Sequence, residues 1–150
     1  MKIGIVGLGR MGGNIARRLM DANHECAVFD TSDRAVEELQ KDGAEAADSL
    51  QALVDMLPAP RSIWLMLPAG EITESTISQL SSMLAPGDTL IEGGNAFFKD
   101  DVRRARELHE KDIHYVDVGV SGGVWGRARG YCLMIAVSYT HLTLPTIYSV

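Results

Sequence analysis

Apolar residues arrive in short runs that stop at glycine, proline or an acid, and between the runs they recur at helical spacing. Ile3, Ile5 and Val6 form the first run; Met11, Ile15 and Leu19 then recur every four residues, which predicts strand, tight turn and helix. A second run, Cys26 to Phe29, ends at Asp30, and Ser32 caps a helix that carries Val36 and Leu39 and stops before Gly43. Ala44 to Ala46 gives a short, weak strand, and a short helix begins at Ser49 and is closed by Pro58 and Pro60. Ser62 to Leu67 is a fully apolar strand halted by Pro68, followed by a helix over Thr73 to Leu84 with Ile77, Leu80 and Leu84 on one side. Beyond Pro86-Gly87 come a strand at Thr89 to Ile91, a helix at Lys99 to Lys111, a strand at Tyr115 to Val120 and another at Tyr131 to Ile135. Helices alternating with near-continuous apolar strands predict an α/β fold whose parallel sheet is covered on both faces.

Composition narrows this picture. A chain of 150 residues is the size of one domain and removes roughly 70% of its unfolded surface from water. With 46% hydrophobic and 23% charged residues it is an ordinary globular composition, neither collagenous nor disordered. No apolar run approaches the length of about 18 residues that a membrane span needs, and Arg10 interrupts the start before a signal-peptide core can form, so the expectation is a cytoplasmic protein with no membrane partner. Cys26 and Cys132 lie in apolar stretches far apart, as buried reduced thiols do. The net charge of −6 and the scatter of basic residues exclude nucleic acid as the main partner, and the four histidines show no metal-ligand spacing, so no metal is expected.

The sharpest chemistry lies after the first strand. Gly7-Leu8-Gly9-Arg10-Met11-Gly12 has G-x-G-x-x-G spacing between a strand and a helix. The first glycine permits the tight turn, the second lets a pyrophosphate approach the backbone, and the third lets helix and strand pack closely. Free amides and the helix dipole then face the phosphates. Asp30 closes the second strand, about 20 residues after the turn, where a carboxylate accepts hydrogen bonds from the adenosine ribose. Its neighbours Thr31 and Ser32 are uncharged and Arg34 lies within the next helix, which favours NAD over NADP while leaving NADP possible.

Three further segments begin where strands end: Met66-Leu67-Pro68-Ala69-Gly70, Glu92-Gly93-Gly94-Asn95-Ala96 and Gly119-Val120-Ser121-Gly122-Gly123-Val124-Trp125-Gly126. In an open parallel sheet they should converge on the crevice that holds the dinucleotide. A Ser-Gly-Gly turn, with its bare amides and hydroxyl, suits a carboxylate. The glycine turn, Gly93-Gly94-Asn95 and above all Asp117 to Gly126 followed by Gly130-Tyr131-Cys132-Leu133-Met134-Ile135 resemble the decarboxylating 6-phosphogluconate dehydrogenases, of the 3-hydroxyacid dehydrogenase superfamily, and in particular their shorter NAD-preferring bacterial branch.

That resemblance, over Met1 to about Ile135, implies a Rossmann-type, doubly wound, mostly parallel sheet and a homo-oligomeric full-length enzyme. It implies oxidation of the C3 hydroxyl of 6-phosphogluconate with nicotinamide reduction, loss of CO2 and release of ribulose 5-phosphate. Asn95, Ser121, Gly122 and Gly123 match substrate-side positions; Leu67, Pro68 and Ala69 match the loop near the nicotinamide, where Asn95 also reaches the cofactor. Family members continue into a helical domain that supplies a catalytic lysine and glutamate, for which this chain has no counterpart, so no catalytic residue is assigned. Residues 1–137 are read as the NAD(P)-binding domain, and 138–150, which leave the family pattern, as a tail resembling translated adapter sequence. His141 in that tail follows no motif, and Lys99 and Arg103 read as a solvated helix face. Two other functions compete. Another 3-hydroxyacid dehydrogenase is disfavoured by Trp125 and Tyr131, and an inert dinucleotide-binding module fits a chain without a proton-transfer group.

Overall fold

The computed structural model describes residues 1–137, so the tail at 138–150, and His141 with it, lies outside the described residues. Strand β1 (Lys2–Val6) leads through the glycine turn into α1 (Arg10–Asp21), β2 (Glu25–Phe29), α2 (Asp33–Lys41) and the two-residue β3 (Glu45–Ala46). The chain then crosses to the other side of β1 through α3 (Leu50–Asp55) and lays down β4 (Ser62–Leu65), α4 (Glu71–Met83), β5 (Thr89–Glu92), α5 (Phe98–His109) and β6 (His114–Ser121). A 3₁₀ turn at Gly123–Trp125, a short α6 (Gly126–Arg129) and β7 (Cys132–Val137) complete it. The sheet order is β3-β2-β1-β4-β5-β6-β7, a doubly wound, Rossmann-like sheet with β1 to β6 mutually parallel. Between β1 and β4 the direction of winding reverses, and that reversal opens a crevice at the carboxyl ends of the strands.

Period-two alternation inside each apolar run builds two cores. Ile63 and Leu65 of β4 point to one, with Leu53 and Val54 of α3, Ile77 and Leu80 of α4, and Leu108 of α5. Trp64 points to the other, with Ile3 and Ile5 of β1, Ile15 of α1 and Leu39 of α2. A strand buried on both faces has no polar side to display, which is why these runs look uniformly hydrophobic. Ser32 caps α2 by accepting the Ala35 amide at 3.4 Å, and Ser49 caps α3 by accepting the Ala52 amide at 3.1 Å.

Strand β4 ends at Leu65, two residues before the apolar run does, because Met66 and Leu67 turn away into the loop that precedes α4. Strand β7 pairs antiparallel with β6, from Ser121 opposite Cys132 to Val116 opposite Val137. Gly122, Gly123 and Gly130, all at positive φ, let the chain double back over the link 122–131, too short for a parallel crossover. Among the described residues no helix is long and apolar enough to cross a membrane.

Candidate functional site

The glycine turn is shaped by what its glycines exclude. Gly7 has φ +90°, and a Cβ there would lie 2.5 Å from the Met66 carbonyl oxygen. A Cβ on Gly12 would lie 2.0 Å from the Gly7 carbonyl oxygen, so α1 packs against the turn only without a side chain there. A Cβ on Gly9 would meet nothing within 4 Å. The second glycine therefore faces open space, where a pyrophosphate would sit. Helix α1 starts at this point with no side-chain cap and no acid in its first turn, leaving its terminal amides and positive dipole end for an anion.

Asp30 follows the end of β2 and grips the same turn. Its Oδ2 accepts the Leu8 amide at 2.5 Å and its Oδ1 accepts the Ser32 amide at 2.8 Å. The carboxylate retains lone pairs on both oxygens for a sugar hydroxyl. Leu8 itself packs its side chain into the core, so its part in the turn is played by its backbone.

These residues open onto a crevice of roughly 830 Å³. Gly7, Gly9, Arg10, Met11, Gly12, Asp30 and Thr31 form one wall; Leu67, Pro68 and Asn95 form the other. Two of the three strand-end segments thus converge as the sequence implies. The third contributes only Gly119 and Val120. Ser121, Gly122 and Gly123 are exposed and lie outside the lining, as do Ser32 and Ala69. The cause is the antiparallel return of β7, which extends β6 to Ser121 and sets the glycines beyond the crevice mouth. Ile72 and Thr76, one turn apart at the start of α4, and Met134 on β7 also line the crevice and were not singled out from sequence. The helix pair carried a signal, an i, i+4 spacing just after a strand-end loop; Met134 carried none, since only the β6–β7 pairing places it against Gly119.

Arg10 and Asp30 are the ionisable groups among the described residues of the lining. The described lining thus offers one cation for an anionic ligand and one carboxylate, which already accepts the Leu8 and Ser32 amides. Lys99 rests near the Phe97 ring, 5.9 Å from its centroid, and Arg103 pairs with Glu74 and Glu107 on the surface, both away from the crevice as expected.

Behind the Gly93-Gly94 turn lies a second polar group of residues. Glu92, the last residue of β5, is 0% exposed; its Oε1 accepts the Gly94 amide at 2.8 Å and its Oε2 has no partner. Glu92, Asp101 and Asp117 offer carboxylate oxygens within 4.8 Å of one another. Asp101 is compensated: its Oδ1 accepts from the Tyr115 hydroxyl at 2.8 Å and from Arg104 at 3.0 Å. Burial, with Asp101 and Asp117 nearby, raises the Glu92 carboxyl to about 7 against the opposing pull of the Gly94 amide and Arg104. Burial, then Asp101, also raises Asp117.

Residues 2–143 match the model of the NAD binding domain of 6-phosphogluconate dehydrogenase. The chain belongs to that family. It is 42% identical over 135 residues to the NAD(+)-dependent, decarboxylating 6-phosphogluconate dehydrogenase of Haloferax volcanii, covering 90% of this chain and 44% of that protein. It is 38% identical over 136 residues to the enzyme of the same name from Bacillus subtilis, covering 88% of this chain and 29% of that one. Among solved structures, Plasmodium falciparum 6-phosphogluconate dehydrogenase superposes with a TM-score of 0.84 at 28% identity, over 90% of this chain and 30% of that one. The chain therefore spans less than half the length of these relatives, and within that span it is a NAD-binding domain of the dehydrogenase type.

Proposed function

We propose that this chain is the dinucleotide-holding part of an enzyme that oxidatively decarboxylates 6-phosphogluconate to ribulose 5-phosphate, and that it takes NAD in preference to NADP. The observation that carries the reading is the position of Asp30, bonded to the Leu8 amide at the mouth of an uncapped helix N-terminus. Gly7, Gly9, Gly12 and the first amides of α1, with Arg10 and Met11, hold the pyrophosphate. Asp30, with Thr31 and Ser32 beside it, takes the adenosine ribose. Leu67, Pro68, Ala69 and Asn95 flank the nicotinamide, which when bound accepts the hydride from the C3 hydroxyl. Asn95, Ser121, Gly122 and Gly123 meet the substrate from its carboxylate side, the last three from just outside the crevice.

A 2'-phosphate beside Asp30 would suffer a repulsion of roughly 1 to 3 kcal/mol. Calorimetric titration of the chain with NADH and NADPH should show tighter NADH binding, and Asp30→Ala should narrow the difference. Equal or tighter NADPH binding by the wild type refutes the preference. The chain alone should show no turnover of 6-phosphogluconate, because a missing general acid or base costs about 100- to 10,000-fold per role and Asp30, the carboxylate of the described lining, is held by the Leu8 and Ser32 amides for the ribose. Reduced-cofactor formation at about one per second or faster would overturn that expectation.

A further inference from the structure

We propose that Glu92 and Asp117 share a single proton, and that the resulting neutral carboxyl is the positioning group for the Gly93-Gly94-Asn95 turn on the far wall of the crevice. The inference rests on the dinucleotide reading above only for its effect on ligand binding.

The charge balance around Glu92 requires this proton. Every element packed against it contributes: Asp101 and Arg104 from α5, Tyr115 and Asp117 from β6, and Glu74 from α4 through its ion pair with Arg104 at 2.9 Å. Arg104 is spent on Glu74 and Asp101, and the Tyr115 hydroxyl on Asp101. Arg104 pulls on Glu92 from a distance but gives its bonds to Glu74 and Asp101, and a fully buried Glu92 with the half-buried Asp117 within 4.8 Å does not ionise together with it. One proton lowers the charge of the pair from −2 to −1 and gives the unpartnered Oε2 of Glu92 a hydrogen to share.

The pair reaches the crevice through one bond. Oε1 of Glu92 fixes the Gly94 amide, and a Cβ on Gly94 would lie 2.6 Å from that oxygen and 2.5 Å from the Leu67 carbonyl oxygen. The turn is thus clamped between the acid pair and the Pro68 loop. Ionisation of Glu92 strengthens its bond to Gly94 but sets the carboxylate against Asp101 and Asp117, and this repulsion behind the turn is what high pH adds.

Because the folded state raises the Glu92 carboxyl, its contribution to stability is complete below its unfolded value near 4.5 and is lost as pH rises towards about 7. Glu92→Gln keeps the acceptor for Gly94 and holds the group neutral at every pH. Thermal unfolding of the full chain without cofactor is expected to give a Glu92→Gln midpoint roughly 5 °C above wild type at pH 8 and equal to it near pH 4.5. NADH titration should show a Kd that weakens severalfold from pH 5 to pH 8 in the wild type and stays level in Glu92→Gln, while Glu92→Leu, which lacks the acceptor, binds weakly throughout. A wild-type midpoint and Kd that track those of Glu92→Gln at every pH would overturn the proposal. So would a rise in the wild-type midpoint with added calcium or magnesium at pH 8 that Glu92→Gln abolishes, since a cation, and not a proton, would then neutralise the cluster. The thermal comparison involves no dinucleotide, so its failure is distinct from failure of the cofactor reading.

Discussion

Two buried carboxylates bracket β5, and they are built for opposite ends. Asp88, 1% exposed, immediately before the strand, accepts the Arg61 amide at 2.7 Å, the Ala85 amide at 2.9 Å and the Arg61 guanidinium at 3.2 Å. Burial alone would raise this carboxyl, but those three donors outweigh it and hold it below its ordinary value. Glu92, at the other end of the same strand, is equally buried, has one bond and is pushed upward. The amino edge of the sheet saturates its acid; the carboxyl edge, where the crevice opens, leaves its acid unfinished. Saturation serves the fold, and an under-satisfied group beside a binding site is available for function.

The largest break in this contrast should come from Asp88→Ala, which strands Arg61 and two amides. A loss of about 3 to 4 kcal/mol in denaturant unfolding is expected, with cofactor affinity little changed in the fraction that remains folded. The sign with pH is opposite to that of Glu92: the Asp88 contribution is complete above its unfolded value near 3.9 and is lost as pH falls through the lower folded one, so the variant's acid limb should be flatter. Gly12→Ala comes next, at about 2 to 3 kcal/mol, because its Cβ meets a backbone oxygen that can move only with the turn; it should also weaken NADH binding. Gly9→Ala separates the two edges most cleanly. Its Cβ enters empty space, so stability should change by less than about 1 kcal/mol while NADH affinity drops about tenfold or more, and a normal affinity would argue against a pyrophosphate there. The mildest test uses the thiols. Burial pushes Cys26 on β2 up to about 11, whereas Cys132 at the sheet edge is half-buried, so a thiol reagent at pH 8 should label Cys132 first; equal rates would contradict the packing of β2.

Much of this was legible in the chain because it is local. The glycine spacing, the Ser32 cap, the short helix starting at Ser49 and the strand-ending Asp30 each depend on neighbours within a few residues, and each stands where the sequence places it. What stayed hidden depends on distant partners. The direction of β7 follows from a doubling-back set by three glycines, and with it the placing of Ser121 to Gly123 outside the crevice and of Met134 inside it. Cys132 was expected to be buried, but an edge strand covers it only in part. Asp30 and Glu92 look alike in sequence, an acid at the end of an apolar run. Only the pairing of β5 with β6 and the packing of α5 over them give Glu92 its acidic neighbours Asp117 and Asp101 and a nearby arginine, Arg104, that bonds to Asp101 and Glu74.

The two tryptophans give the molecule its own optical readout. Trp64 is 9% exposed in the second core, and its indole nitrogen, which has no acceptor, lies where a side chain on Gly93 would be, 2.2 Å from that position. Trp125 is 65% exposed, beneath the Arg129 guanidinium at 5.4 Å. A soluble quencher should strip the red-shifted emission of Trp125 and leave the blue emission of Trp64, a fluorophore lodged directly behind the crevice wall. Movement of the Gly93-Gly94 turn would then register as a change of colour in an unlabelled protein.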